Sequence, residues 1–233
     1  MVGLIESAGA ILSASERRLE VIAQNTANVA TPGYQRRVSF ETLVANRQSS
    51  SGLPFLSTVV DTRSGQLVST GNPLDIAIAG EGTFIVRDGE RLIASRGGSF
   101  RRDEDGRMID SLGRALQQSG GGDVVVDSDV VSIGVDGTVL VGGQPTAKIG
   151  VFAVDVTIIQ SAEVGGLSHS AMDEEVADPQ IRQAMVEQSN VVLGDEMVAM
   201  MATARSAEGG ARIVQIYDEL IGRVFTNLGQ AGR

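Results

Sequence analysis

The sequence predicts an α+β fold that is helical at both ends of the chain and mostly antiparallel β in the middle. Small and apolar residues recur at steps of three and four near each terminus, and short β-prone runs lie between those regions. Hydrophobic residues make up 42% of the 233 residues, a globular composition, but aromatic residues only 3%. We therefore expect a core of aliphatic side chains.

The N-terminal helix is predicted by a heptad-like seam, which indicates a helix that packs along another helix. The seam consists of Ile5, Ala8, Leu12, Ser15, Leu19, Ile22, Thr26 and Val29. Thr31, Pro32 and Gly33 follow it. They should end the helix, because proline cannot continue the hydrogen-bond ladder and glycine favours a turn.

The C-terminal helix is predicted by a similar seam. Asp178 and Pro179 look like an N-cap and a first helical position. The seam consists of Leu193, Met197, Met200, Ala204, Ala207, Ala211, Val214, Asp218, Ile221, Phe225 and Leu228, with Tyr217 as a substitute for Asp218. A helix over residues 181–228 would be about 70 Å long, which is too long to bury against one small domain. It should need partners.

The middle of the chain is predicted to be β-rich. Asp-Gly pairs, a strong hairpin signal, stand between β-prone runs at Asp88-Gly89, Asp105-Gly106 and Asp136-Gly137. The runs are 74–79, 83–87, 92–95, 124–126, 130–135 and 148–159. No long helical pattern alternates with them, which favours antiparallel pairing.

We divide the chain into an N-terminal helical segment (1–38), an extended connector (39–71), a β-rich domain (72–178) and a C-terminal helical segment (179–233). Two arrangements fit the periodicity equally well. In one, the terminal helices pair with each other and the β domain is an insertion. In the other, both helices cover the sheet of a single compact fold.

Charge and composition exclude several classes of function. The formal net charge of −10 disfavours binding to nucleic acid or to an anionic lipid surface. The absence of cysteine excludes disulfides and thiolate metal sites, and the one histidine, His169, excludes a histidine-rich site. We expect no cofactor, no metal and no enzymatic activity. No apolar stretch is long enough to span a membrane, and Glu6 interrupts an N-terminus that lacks the basic start of a cleavable signal.

Motifs at both ends resemble those of the flagellar rod and hook protein family. Residues 19–37 read LEVIAQNTANVATPGYQRR, and residues 187–205 read EQSNVVLGDEMVAMMATAR. The middle fits the family through residues 64–67 (SGQL), 72–77 (NPLDIA) and 80–82 (GEG). The length of the chain resembles the two intermediate members, of which the proximal-rod protein is favoured over the distal-rod protein. Gly209-Gly210 departs from the family, because it falls inside the predicted helix.

The resemblance implies terminal helices that pair, line the core of a tubular assembly and contact other subunits. It also implies partners that are copies of the chain and other rod proteins, export through the flagellar type III apparatus, and a place in the basal body. The expected subunit-interface residues are Leu12, Leu19, Ile22, Asn25, Asn28, Thr31, Pro32, Gly33, Tyr34, Ser189, Asn190, Val191, Met197, Met200, Ala204, Val214 and Ile221.

Some of these residues have a local alternative. Asn25 and Asn28 could cap the helix before the turn, and Tyr34 could pack under it. Two other functions also remain open from the sequence. One is a β-rich binding module with helical oligomerisation arms, such as an adhesin or a secretion-apparatus component. The other is a hydrolase that uses a pair of the chain's 29 acidic residues.

Overall fold

The computed structural model describes residues 2–42, 55–128, 130–153, 162–163, 166–168 and 175–231. His169 and residues 43–54 of the predicted connector lie outside these ranges. Contacts divide the chain into two compact units. The helical unit contains residues 1–27, 37–58 and 192–233, and the β unit contains residues 28–36 and 59–191.

The α+β prediction is confirmed, with a helix at each end and antiparallel strands between. The helices are α1 (Val2–Ala27) and α2 (Leu193–Ala231). The strands are β1 (Arg37–Thr42), β2 (Phe55–Val60), β3 (Leu67–Ser69), β4 (Ile76–Ile78), β5 (Thr83–Asp88), β6 (Arg91–Ser95), β7 (Arg101–Arg102), β8 (Met108–Ile109), β9 (Ala115–Leu116), β10 (Val131–Ile133), β11 (Thr138–Val141), β12 (Gln144–Lys148), β13 (Val151–Phe152), β14 (Ala162–Glu163), β15 (Gly166–Ser168), β16 (Ile181–Gln183) and β17 (Met185–Glu187).

In the helical unit the two terminal helices pack against each other, and β1 pairs with β2. Of the two arrangements that the periodicity allowed, helix pairing is therefore confirmed. The predicted connector contains the strands β2 and β3 and part of β1. The four segment boundaries themselves stay a prediction.

The β unit is organised around a sheet in which β6, β5, β9, β8 and β7 are successive neighbours. All three Asp-Gly hairpins are confirmed, since they join β5 to β6, β7 to β8, and β10 to β11 in antiparallel pairs. The core is mainly aliphatic, as expected, with Phe84 and Phe100 in an edge-to-face contact 6.2 Å apart. Large apolar side chains thus fill the core of the β unit.

A turn occurs twice in the β unit with the sequence Asp-x-x-Gly-Arg. The turn begins at Asp103 in one copy and at Asp110 in the other. In each copy the aspartate Oδ1 accepts a hydrogen bond from the backbone N–H of the arginine four residues later. The aspartate Oδ2 accepts a second one from the Nε of the same arginine, at 2.8 Å for Arg107 and 2.7 Å for Arg114. The glycine has φ of 81° in both turns. The sequence analysis did not identify this repeat.

The predicted start of the C-terminal helix is wrong. Asp178 and Pro179 do not begin a helix; the chain instead forms β16 and β17, and α2 starts at Leu193. Ile181 pairs with Ile78 of β4 and is almost fully buried in the core of the β unit. Burial of this β-branched side chain outweighs a local capping signal. The 39 residues of α2 correspond to about 58 Å, shorter than predicted.

Candidate assembly surface

Within the helical unit, α1 and α2 run antiparallel. At one end, the Asn25 side chain donates a hydrogen bond to Glu196 Oε2 at 3.3 Å. Fourteen residues further along α2, Gly210 lies against Ile11 and Leu12 of α1. A methyl group at Gly210 would stand 3.2 Å from Ile11 Cγ2, so the glycine permits this close approach. The helix continues through Gly209 and Gly210 without a break.

The side of α2 that is buried in a single chain is small and polar over its first half. The buried and half-buried residues recur at steps of three and four, and they are Glu196, Ala199, Thr203, Ala207, Gly210, Val214, Tyr217 and Ile221. The Thr203 hydroxyl donates to the Ala199 carbonyl at 2.8 Å, which satisfies it within the helix. We call this row the intrachain seam.

The predicted seam of α2 is only partly the intrachain seam. Ala207, Val214 and Ile221 are half-buried and belong to both, as does the proposed substitute Tyr217. Met197, Met200 and Ala204, by contrast, are exposed, and Met197 keeps 57% of its surface. These three residues therefore lie outside the contact with α1 in a single chain, because α2 is apolar on more than one side. Their predicted place at a subunit interface stays a prediction.

Two exposed apolar strips lie on α2 beside the intrachain seam. The Met flank consists of Leu193, Met197, Met200 and Met201. The Ile flank consists of Ile213, Ile216 and Leu220. At about 100° per residue, the two flanks lie roughly 105° to either side of the seam. The fourth side of the helix is charged and carries Arg205, Glu208, Arg212, Glu219 and Arg223.

On α1, the predicted residues Leu12, Leu19, Ile22 and Asn25 lie on one partly buried face, with Ile22 and Asn25 fully buried. The Asn25 amide pairs with the backbone of Arg37: Nδ2 donates to the carbonyl at 2.8 Å, and Oδ1 accepts from the N–H at 2.9 Å. In a single chain Asn25 thus binds the backbone of β1, twelve residues further along the chain, and its capping of the end of α1 stays a prediction. An additional role between subunits stays a prediction.

In the β unit, the turn after α1 is held by local hydrogen bonds. The Thr31 hydroxyl donates to Asn28 Oδ1 at 3.1 Å, while Pro32 is exposed. Gly33 has φ of 71°, and a Cβ there would lie 2.1 Å from the backbone N of Gly97. Only glycine fits at this position. Tyr34 is 5% exposed, so it packs under the turn within one chain.

The two terminal motifs meet inside the β unit through residues 187–191. Gly33 N–H donates to the Glu187 carbonyl at 2.7 Å, and Arg36 N–H donates to Asn190 Oδ1 at 2.6 Å. Asn190 Nδ2 donates in turn to the carbonyls of Asp61 and Arg63. Neighbouring Ser189 accepts from the N–H of Val191, which is buried. Asn190 is therefore a positioning residue within the chain.

A buried ion pair lies among the central motifs. Arg96 Nε is 3.1 Å from Glu187 Oε2, and both side chains are at most 3% exposed. Arg96 also donates to the carbonyls of Gly80 and Gly82 and to Ser64 Oγ, at 2.6 to 2.8 Å. Glu187 Oε1 accepts from the backbone N–H of Gly65 at 2.8 Å. The pair thus joins segments 64–65, 80–82 and β17 into one network.

Burial dominates the electrostatics of this pair. It raises the pKa of Glu187 above its usual range, and Arg96 and the Gly65 N–H offset only part of the effect. Burial likewise lowers the pKa of Arg96, against the attraction of Glu187. Apart from the ion pair, Glu187 Oε2 accepts no hydrogen bond from the described residues. The pair is therefore costly to bury, and removing one partner should destabilise the unit.

Sequence reasoning missed Arg96, Glu187 and Glu196 as structural residues, because a charged side chain is read as exposed unless its partner is known. The two glycine-containing motifs at 64–67 and 80–82 were the available signal, since they supply the backbone groups around Arg96. Within the described ranges, no group of His, Cys, Asp and Glu could hold a metal ion. No helix among the described residues is long and apolar enough to cross a membrane.

Two family models match the chain. The model described as the flagellar hook protein FlgE/F/G D1 domain matches residues 77–141, within the β unit. The model described as the flagellar basal body rod FlgEFG protein C-terminal matches residues 182–227, which cover β17 and most of α2.

Similar proteins cover nearly the whole chain. The flagellar basal-body rod protein FlgF of Mesorhizobium japonicum is 30% identical over 87% of this chain and 88% of its own length. The FlgF protein of Caulobacter vibrioides is 28% identical over 92% and 93%. The rod protein FlgG of Agrobacterium fabrum is 26% identical over 93% and 96%.

These relatives confirm the resemblance to the intermediate rod members, with FlgF favoured over FlgG. The relatives are named as rod proteins of the flagellar basal body, in line with the expectation of a structural role. The chain belongs to the family of flagellar basal-body rod proteins.

Proposed function

We propose that the chain is a subunit of the flagellar rod that polymerises through α1 and α2 into the torque-transmitting axial tube. It does so with copies of itself and other rod proteins, after export through the flagellar type III apparatus. The Met flank carries this proposal. A helix whose exposed side is this apolar is typical of one that another protein surface covers.

The composition of the intrachain seam supports the same proposal. Thr203 and Gly210 of this seam and Ser15 of α1 bury little apolar surface, so the first half of α2 gains little from its contact with α1. The predicted interface residues Met197, Met200 and Ala204 are instead exposed and available to a partner. A helix pair of this kind should gain most of its stability on docking, which couples folding to assembly.

A charge on the Met flank tests the proposal. We expect Met197→Glu to abolish swimming and rod completion, because docking would bury the new carboxylate. The matched control is Gln215→Glu, which adds the same charge at an exposed polar position of α2. Both substitutions exchange good helix formers. Each is introduced in place of the native gene, and purified basal bodies are imaged by electron microscopy beside a motility assay.

Deletion of the gene provides the reference phenotype for rod completion. We expect truncated or missing rods, which the intact gene restores and a gene lacking residues 1–34 does not. Complete rods in swimming Met197→Glu cells would contradict docking through α2. Complete rods in the deletion strain would contradict the rod function itself. They would favour the alternative function, a β-rich binding module with helical oligomerisation arms.

Circular dichroism of the dilute protein tests the coupling of folding to assembly. The two helices contain 26 and 39 residues, and we expect the free protein to show less helix than these 65 residues would contribute. Full helicity at high dilution would contradict the coupling but leave the rod function in place.

A further inference from the structure

The two exposed flanks of α2 lie on opposite sides of the intrachain seam and in opposite halves of the helix. The Met flank occupies residues 193–201, and the Ile flank occupies residues 213–220. Each therefore extends over about two helical turns, so the strips match in length. Val198 is exposed on the side of the Ile flank, but Ala202, Ser206 and Gly209 separate it from that strip.

We infer that the Met flank of one copy docks on the Ile flank of the next copy of this chain. This inference rests on the proposed rod function and adds which two surfaces meet. The occupant of each flank is a second copy, because one chain carries both halves of the contact.

The relative direction of neighbouring subunits decides which of their surfaces can meet. Copies related by a screw axis along a tube all point the same way, so each presents its left side to the right side of its neighbour. A contact of a flank with itself requires a two-fold axis, which would turn one copy upside down. Opposite placement of the two flanks is what a head-to-tail contact between parallel helices needs.

The side chains suit this pairing. Ile213, Ile216 and Leu220 are branched, and Ile is stiff at χ1, so this strip forms a ridge of defined shape. Met197, Met200 and Met201 are unbranched and flexible, so they can adapt to such a ridge. The charged side of α2 stays outside the contact, because it lies opposite the intrachain seam.

The inference also predicts an axial displacement between neighbours. Met197 and Ile216 are nineteen residues apart along α2, which corresponds to about 28 Å. If these residues meet between copies whose helices are parallel, adjacent copies are displaced by about this distance along the helix axis.

Cross-linking in assembled rods tests the pairing, and the absence of native cysteine makes single-cysteine variants specific. Cells co-express two differently tagged copies, one Met197→Cys and one Ile216→Cys, and are treated with a short bismaleimide before basal bodies are purified. We expect the adduct between the two tags as the main product. Arg212→Cys on the charged side is the matched control and should form no adduct between copies.

Each variant is first tested alone for swimming and for its presence in basal bodies. Adducts of Met197→Cys with itself would overturn the inference in favour of a two-fold contact. Adducts only with another rod protein, or none in rods that contain the chain, would overturn the second copy as occupant. Absence of the native chain from basal bodies would instead overturn the proposed function, so the two failures are distinguishable.

Discussion

The helical unit and the β unit are stabilised in different ways. The β unit buries large side chains such as Phe84, Met108 and Leu116 and contains an internal ion pair. In the helical unit, the intrachain seam has Thr203 and Gly210 in the first half of α2, while Met197, Ile216 and Leu220 are exposed. The β unit buries its large apolar side chains within a single chain, whereas the helical unit leaves several of them exposed.

Hydrogen exchange of the free protein should show the largest difference between the two units. We expect amides of the β-unit core to be protected roughly a thousandfold more than those of α1 and α2, a gap of about 4 kcal/mol in opening free energy. The reason is that the helix pair buries little apolar area on its own. Equal protection of the two units, measured by mass spectrometry on the dilute full chain, would remove the distinction.

Removal of Arg96 should have the next largest effect. Arg96→Ala leaves Glu187 buried without its cation and should lower the free energy of unfolding by about 3–5 kcal/mol. The control is Arg87→Ala, which breaks the more exposed pair with Asp123 and should change the free energy of unfolding much less, because solvent screens this pair. Urea titration followed by circular dichroism measures both. Similar small losses would show that the buried network is dispensable.

The adjacent glycines of α2 offer a matched pair with a smaller effect. Gly209→Ala places a methyl group in open space and should stabilise the helix by about 1 kcal/mol. At Gly210 the same change brings the methyl group 3.3 Å from Leu12 Cγ, so part or all of that gain should be lost. Helix content against temperature reports the difference. Equal gains would mean that α1 is not packed closely at this point.

The change of stability with pH that Glu187 causes should be the smallest of these effects, since only one proton is involved. Because burial raises the pKa of Glu187, its contribution to stability is present below the ordinary value of 4.5 and is lost as pH rises through the raised value. The stability of the native protein relative to Glu187→Gln should therefore fall with rising pH. The urea unfolding midpoints of the native protein and of Glu187→Gln, taken at a series of pH values, measure this difference.

Asp61 provides a control of opposite sign. The Arg63 side chain donates hydrogen bonds that lower the pKa of Asp61, so its contribution is present above the ordinary value and is lost on acidification. The stability of the native protein relative to Asp61→Asn should rise with pH. The same sign for both residues would contradict this account of the buried pair.

The sequence predicted the features that depend on local chemistry. The Asp-Gly pairs located three hairpins because glycine tolerates the positive φ that each turn requires. Thr31, Pro32 and Gly33 marked the end of α1 for a similar reason. The spacing on α1 identified Leu12, Leu19 and Ile22 as one face, since α1 has a single predominantly apolar side.

The spacing on α2 did not by itself show which side of this helix faces α1. The apolar spacing of α2 selected Met197, Met200 and Ala204, but in the chain Glu196, Thr203 and Gly210 face inward. Periodicity detects an apolar side without showing what covers it. Likewise, the local signal at Asp178 and Pro179 could not reveal that Ile181 would complete the core of the β unit.

The sequence alone determined the family, the helix–β–helix order and the hairpin turns, because motifs and backbone preferences act over a few residues. Only the tertiary structure decided the start of α2, the side of α2 that faces α1, and the burial of Arg96 with Glu187. These outcomes depend on contacts between residues far apart in the chain, where burial of side chains outweighs local propensity.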